Sequence, residues 1–187
     1  MQTVLSISNA LDARDPLTRS HSQRVAQYST EIAKRLGWSK ERVENFYNLA
    51  LVHDIGKIGI SDAVLQKEGK LTAEEYRQIQ AHVDIGGFIL KDFSAIDKVS
   101  EGALYHHERY DGKGYSRGLA GEEIPIEARI ICIADAIDAM NSTRPYRARQ
   151  SEAYICAELV RESGKQFDPN LVEVLLTMIR EGLLSKY

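Results

Sequence analysis

LVHDIGKIGI, residues 51–60, sets Leu, Val and Ile around His53, Asp54 and Lys57, three side chains that are costly to bury. Upstream, Val43, Phe46, Leu49 and Ala50 recur at helical spacing, and His53 falls on the same apolar face. An isolated ionised carboxylate in apolar surroundings is expensive, so Asp54 needs a partner. Two readings meet that need. Either a helix ends here and His and Asp cap backbone groups toward solvent, or the stretch holds a metal ion.

Outward from this stretch the pattern is helical almost everywhere. Val4, Ile7 and Leu11 mark a first stripe. His21, Val25, Tyr28 and Ile32 mark a second, which stops at Gly37, and Ser39 caps the helix that runs into His53. Thr72 with Glu75 forms a capping box that opens a helix carrying Tyr76, Ile79 and Val83. Val99 and Ala103 lead to His106 and His107, and YDGKGYSRGLAGEEIP at 110–125, with four glycines, reads as a long surface loop. Ile126 to Met140 is apolar nearly all round, as a central buried helix is. Two amphipathic helices follow, the last introduced by Asp168 as cap and Pro169 at its first position. There is no alternating strand pattern, repeat or interdomain linker. The prediction is an all-α, single compact multi-helix domain over 1–187, with a central buried helix and a Gly-rich surface loop.

Composition narrows the function. With 187 residues, 43% apolar and 27% charged, the chain has the make-up of a globular domain with a developed core. Net charge is −3 without a basic block, which argues against polymeric nucleic acid and anionic membrane surfaces. Two cysteines are too few for a disulfide framework and point to a reducing compartment. The start, MQTVLSISNALDARD, has no basic leader, and no apolar run approaches a membrane span, so a cytoplasmic protein is expected.

Each of the five histidines sits on or beside an apolar helical stripe. One such histidine is usually a satisfied core residue; five are harder to dismiss. IICIADAIDAM, residues 130–140, adds Asp135 and Asp138 to an otherwise apolar helix. Imidazole and carboxylate together suit iron, manganese, zinc or nickel. No Cys-rich zinc spacing is present, and Cys132 is expected to pack within its helix.

The combination of HS at 21, HDIGK at 53–57, His82, HHERYDGKGY at 106–115, ADAIDA at 134–139 and RPYR at 144–147 resembles the HD-GYP family. These are bacterial metal-dependent phosphodiesterases of the HD superfamily that hydrolyse cyclic di-GMP. The likeness runs from about Leu11 through QFDPNLV at 166–172, and its most specific element is HHExxDGxGY. Two positions depart from the family pattern: Ser116 where the name-giving proline stands, and Val83 where a proline commonly follows the histidine. The resemblance implies that His53 binds one metal and Asp54 bridges two. His21 and Asp135 then complete the first ion's ligands, and His82, His106 and His107 hold the second. It implies two divalent transition-metal ions, iron or manganese favoured over zinc or nickel. A metal-bridging hydroxide would attack cyclic di-GMP directly and yield linear pGpG, GMP or both. Asp54 and Lys57 are the expected catalytic residues, and Lys57, Arg144 and Arg147 the expected substrate contacts.

Some family members resemble this chain but carry a glutamate one turn before the first histidine that helps hold a third ion. Here the helix opens DPLTRSH, with Asp15 as cap, Pro16 at its first position and Leu17 four residues before His21, so two metals are expected. Asp138 is the carboxylate that could still support a third. The alternatives are an HD hydrolase for another cyclic dinucleotide or nucleotide, and a catalytically weak cyclic di-GMP receptor or diguanylate cyclase interaction module. Every motif ligand is present, which favours the enzyme. A diguanylate cyclase partner docking through the Gly-Tyr loop, a homodimer, and a sensory region upstream in a longer protein are all compatible with this reading.

Overall fold

The computed structural model describes residues 2–14, 20–143 and 148–186. Helices run in the order α1 (Gln2–Arg14), α2 (His21–Arg35), α3 (Lys40–Leu51), α4 (Asp62–Leu65), α5 (Ala73–Gln80), α6 (His82–Leu90), α7 (Val99–Tyr105), α8 (Ile126–Asn141), α9 (Glu152–Glu162) and α10 (Pro169–Arg180). A 3₁₀ turn, Ile55–Gly59, links α3 to α4. Among the described residues there is no β-strand, only an isolated bridge between Ser163 and Phe167. No described helix is long and apolar enough to cross a membrane.

The predicted stripes build the core. Val25, Tyr28 and Ile32 of α2 are buried against Val43, Phe46, Leu49 and Ala50 of α3. Gly37 takes a left-handed φ of 79°, and the Trp38 N–H returns to the Ala33 carbonyl at 3.1 Å, which closes α2. Ser39 Oγ accepts from the Arg42 N–H at 3.2 Å and opens α3. α8 is the central helix: Ile130, Ile131, Ile133, Ala134 and Ile137 are buried, and it packs on α2 and α7. Leu171, Val172, Leu175 and Ile179 of α10 close the far side, with Asp168 capping at the Asn170 N–H, 2.9 Å.

Two stripes differ from expectation. Ile7 is 38% exposed and Ser8 is buried with Val4 and Leu11, so the buried face of α1 is rotated by one residue. The helix opened by Thr72 and Glu75 ends at Gln80, and Val83 belongs to α6, beyond a turn at Ala81. The His82 ring rests Nδ1 on the Ile79 carbonyl at 2.6 Å, an acceptor that an unbroken helix reserves for the residue four positions on. Tyr76 of α5 is 51% exposed. Asp15, Pro16, Leu17, Arg144 and Arg147 lie outside the described residues.

The 3₁₀ turn presses on the start of α6, and Gly56 permits it. A Cβ at Gly56 would stand 1.8 Å from the His82 carbonyl oxygen and 2.5 Å from the Gly86 nitrogen, both main-chain atoms that cannot yield. That contact fixes the distance between Asp54 and His82. Gly56→Ala should therefore lower the unfolding free energy by about 3 kcal/mol or more, as forced overpacking does. Gly87→Ala, whose new methyl meets the Leu104 side chain at 3.3 Å, should stay within about 1 kcal/mol of wild type. Urea unfolding of the two variants checks this, and equal effects would refute it.

Candidate metal centre

Helix ends deliver the polar residues to one place. His21 is the first residue of α2 and His82 the first of α6. His53 and Asp54 follow α3, His106 and His107 follow α7, and Asp135 lies within α8. The donor atoms form two groups, Asp54 with His82, His106 and His107, and Asp54 with His21 and His53, each within 4.8 Å. Asp54 belongs to both. Asp135 stands beside them, with Oδ1 3.3 Å from His21 Nε2.

Backbone carbonyls orient the rings. His53 Nδ1 lies 2.7 Å from Ala50 O, His82 Nδ1 2.6 Å from Ile79 O, and His106 Nδ1 2.9 Å from Ala103 O. A carbonyl can only accept, so each Nδ1 carries the proton and each Nε2 presents a lone pair inward. His82 Nε2 and His106 Nε2 then face each other at 3.3 Å. They also flank Asp54 Oδ1, at 3.3 and 3.6 Å, a buried oxygen with no hydrogen bond. Acceptors converging without donors repel one another, and a cation among them removes the conflict. The donor set therefore fits a first-row transition ion. Lys57 Nζ sits on the other oxygen, Asp54 Oδ2, at 2.6 Å.

Three supporting residues, Asp138, Arg24 and Glu108, escaped the sequence reading or were read differently there. Asp138, considered as ligand support for a third ion, stands behind His21, with Oδ2 2.7 Å from Nδ1. Arg24 in turn forks Asp138, Nε to Oδ1 at 2.5 Å and Nη2 to Oδ2 at 3.1 Å. The signals were the three-residue spacings His21–Arg24 and Asp135–Asp138, one helical face each. Glu108 is buried, and its Oε1 accepts from the Arg117 and Gly118 N–H groups at 2.6 and 3.0 Å. Gly114 lets the loop fold back, since a Cβ there would meet Arg109 N at 2.4 Å and His107 O at 2.6 Å. Tyr115 is then laid on the His107 ring, centroids 4.8 Å apart. The HHExxDGxGY segment is thus a closed loop that holds His107 from the outside. Ser116 takes φ 123°, which the proline ring, fixed near −65°, cannot adopt. This loop has its own conformation where the family pattern has proline.

The HD domain profile matches residues 6–171. The chain belongs to the HD domain family. Among curated relatives, a cyclic di-GMP phosphodiesterase of Thermotoga maritima is 42% identical over 181 residues, 95% of this chain and 49% of the relative. The cyclic di-GMP phosphodiesterase response regulator RpfG of Xanthomonas campestris is 40% identical over 178 residues, 94% of this chain and 47% of its own. The 3'3'-cGAMP-specific phosphodiesterase 2 of Vibrio cholerae is 38% identical over 177 residues, 94% of this chain and 34% of its own. The chain thus spans between a third and a half of these relatives' lengths. Among solved structures, a cyclic GMP-AMP specific phosphodiesterase of V. cholerae aligns with a TM-score of 0.75 at 20% identity, over 97% of this chain and 49% of that one. The HD domain of L. monocytogenes PgpH in complex with cyclic di-AMP aligns with a TM-score of 0.68 at 20% identity, over 97% of both chains. These two likenesses show the all-α HD fold.

The electrostatics of this HD domain suit the ligand roles. Burial drives His53 and His82 down to about 4 against the Asp54 charge, and it takes His107 well below its ordinary value. Burial would raise Asp54, but Lys57 and the histidines hold it well below the carboxylate range. Burial would lower His21, yet its hydrogen bond to Asp138 and the charges of Asp135 and Asp54 raise it.

A consequence for stability follows in the metal-free chain. Between the unfolded value of 6.5 and the folded value of about 4, the unfolded chain binds more protons at His53 and His82. Their contribution is present above the unfolded value and is lost as pH falls toward 4, by up to about 1.4 kcal/mol per pH unit for each. His107 acts in the same sense, whereas His21 acts oppositely, contributing below its unfolded value and losing that contribution as pH rises. Three against one, stability should drop on acidification from pH 7 to 5. Urea midpoints of chelator-stripped protein measure this, and a constant or rising midpoint would contradict it.

Proposed function

We propose that this chain is a metal-dependent phosphodiesterase that hydrolyses cyclic di-GMP to linear pGpG, GMP or both. The observation that carries the reading is Asp54, one buried carboxylate shared by two groups of donors. In this reading His21, His53, Asp54 and Asp135 hold one divalent transition ion. Asp54, His82, His106 and His107 hold a second, with iron or manganese favoured. Such ions, when bound, supply acidified water and neutralise a phosphodiester oxygen.

The chain's own residues do the rest. His53 and His82 stay neutral near pH 7, and the three carbonyl-anchored imidazoles turn their Nε2 atoms to the cluster. Lys57 is partly exposed at the edge of the cluster and places a compact positive charge where a phosphate would meet Asp54. Arg144 and Arg147 are assigned to the substrate from the sequence pattern, guanidinium suiting both phosphate and guanine acceptors. Cys132 is no nucleophile, because burial pushes its thiol up to about 12. In this reading water attacks phosphorus directly, the P–O3' ester bond breaks, and the products are a 5'-phosphate monoester and a ribose 3'-hydroxyl that takes up a proton, with no covalent enzyme intermediate. With both thiols free, we place the protein in the cytoplasm. Lys113 and Arg117, exposed on the Gly-Tyr loop, form the surface offered to a diguanylate cyclase partner, and a homodimer is the other association in keeping with the reading.

A second substrate reading, 3'3'-cGAMP, is favoured by the relatives of Vibrio cholerae that carry that specificity at 38–43% identity. Chromatography of products from anaerobically purified protein given each dinucleotide decides between them. Binding of cyclic di-GMP without turnover would establish the receptor reading instead.

Asp54→Ala should abolish turnover and remove bound metal, whereas Lys57→Ala should keep the metal and lower kcat/KM by about 100-fold, the loss typical of one charge-stabilising group. Arg144→Ala and Arg147→Ala should spare the metal and chiefly raise KM. Metal analysis beside steady-state kinetics reads all four. Near-normal activity of Asp54→Ala would end the shared-ligand assignment, and metal loss in Lys57→Ala would make that lysine structural.

A further inference from the structure

His21 is held unlike the carbonyl-anchored histidines of the cluster. His53, His82 and His106 each rest Nδ1 on the carbonyl three residues back. His21 is the first residue of α2. Its Nδ1 goes instead to Asp138 Oδ2 at 2.7 Å, and Arg24 grips both oxygens of Asp138. Asp135, one turn earlier on α8, stands at the other nitrogen, with Oδ1 3.3 Å from Nε2. One helix thus clamps the ring between two carboxylates. α2 supplies both the ring and the guanidinium that neutralises the rear carboxylate.

The two sides of the cluster consequently differ in charge. The His21 side combines Asp54 and Asp135 in front with Asp138 behind the ring. The other side has Asp54 and three imidazoles, two of them backed by the neutral carbonyls of Ile79 and Ala103. A dication gains more from two carboxylates than from one. A carboxylate behind a ligating imidazole also fixes its orientation and strengthens it as a donor.

Resting on the metal-centre reading above, we propose that Asp138 and Arg24 are positioning residues that make the His21 subsite the tighter of the two. A divalent ion then loads there before it loads at His82, His106 and His107.

The test is a titration of the full chain, stripped with chelator, with Mn²⁺, the free ion being read by electron paramagnetic resonance. Wild type should fill in two steps of unequal affinity. Asp138→Asn keeps an oxygen acceptor for His21 without the charge. It should weaken the first step about 10–100-fold, with the second step and the melting midpoint of the metal-free protein near wild type. His107→Ala should spare the first step and remove the second. Arg24→Lys should retain more first-step affinity than Arg24→Gln, and this pair carries the test should Asp138→Asn not fold. Two equal steps in wild type overturn the inference, as does an unchanged first step in Asp138→Asn or equality of the two Arg24 variants. So does loss of both steps together with the melting midpoint, which marks a merely structural contact. A wild type that binds no Mn²⁺ would overturn the metal-centre reading itself, an outcome distinct from two equal steps.

Discussion

The structure is organised around a carboxylate that has no hydrogen-bond donor for one of its oxygens. Asp54 is 5% exposed, and its Oδ1 faces imidazole nitrogens whose other nitrogens already hold their protons on carbonyls. Burial of such a group without a partner costs several kcal/mol, a large fraction of a domain's net stability. The chain accepts this cost because the apolar faces of α2, α3, α8 and α10 hold the helices in place independently of the cluster. Apart from Asp135, which lies within α8, the donors occupy helix ends and the turns beside them, where a polar side chain can reach inward without interrupting a buried stripe. Glycine does the close fitting: Gly56 brings the Asp54 turn onto α6, and Gly114 brings the Tyr115 loop onto His107.

Legibility followed periodicity and chemistry. Val25, Tyr28 and Ile32, or Leu49 and Ala50, are large or tightly packed residues at 3.6-residue spacing, and that spacing alone decides which face is buried. Ile7 misled because in a weakly amphipathic helix a small polar residue, Ser8, fits the interior as well as an isoleucine does. Ala81 misled because nothing in its own chemistry ends a helix; the break accompanies a side-chain contact of His82 with the Ile79 carbonyl. At the site, histidine and aspartate are costly to bury, so their presence in apolar runs announced them. The expected ligands do converge on Asp54, with Asp135 at the edge. What spacing could not show was direction. Asp135 and Asp138 share a helix face, and only three-dimensional placement sends one to the front of His21 and the other behind it.

Glu108 illustrates a second limit. It stands next to two histidines in HHERYDGKGY, where a carboxylate invites a ligand role. Its Oε1 instead accepts from the Arg117 and Gly118 amides and ties down the returning loop. A carboxylate that receives main-chain N–H groups is shaping the backbone, and the residue type alone, one position from a candidate ligand, carries no signal that separates the two uses.

The chemistry of the cluster also bounds what it can discriminate. In the proposed function the imidazoles, two front carboxylates and the Lys57 ammonium meet a phosphodiester, which every cyclic dinucleotide shares. None of them presents the paired donors and acceptors that read a purine edge. Under that proposal, selection of a base falls to groups outside the cluster. Those at hand are the Tyr115 ring stacked on His107, Tyr76 exposed on α5, and the guanidinium of Arg117, held at 2.9 Å by Asp84 on α6. The first two offer stacking surface, which is tolerant of base identity, and the third offers a planar fork that prefers guanine acceptors. Because these groups lie on the Gly-Tyr loop and α5 rather than on the helix ends that carry the donors, base preference can change while the donor set stays fixed. Such a division is in keeping with relatives of this chain, at 38% and 42% identity, that are named for 3'3'-cGAMP and for cyclic di-GMP.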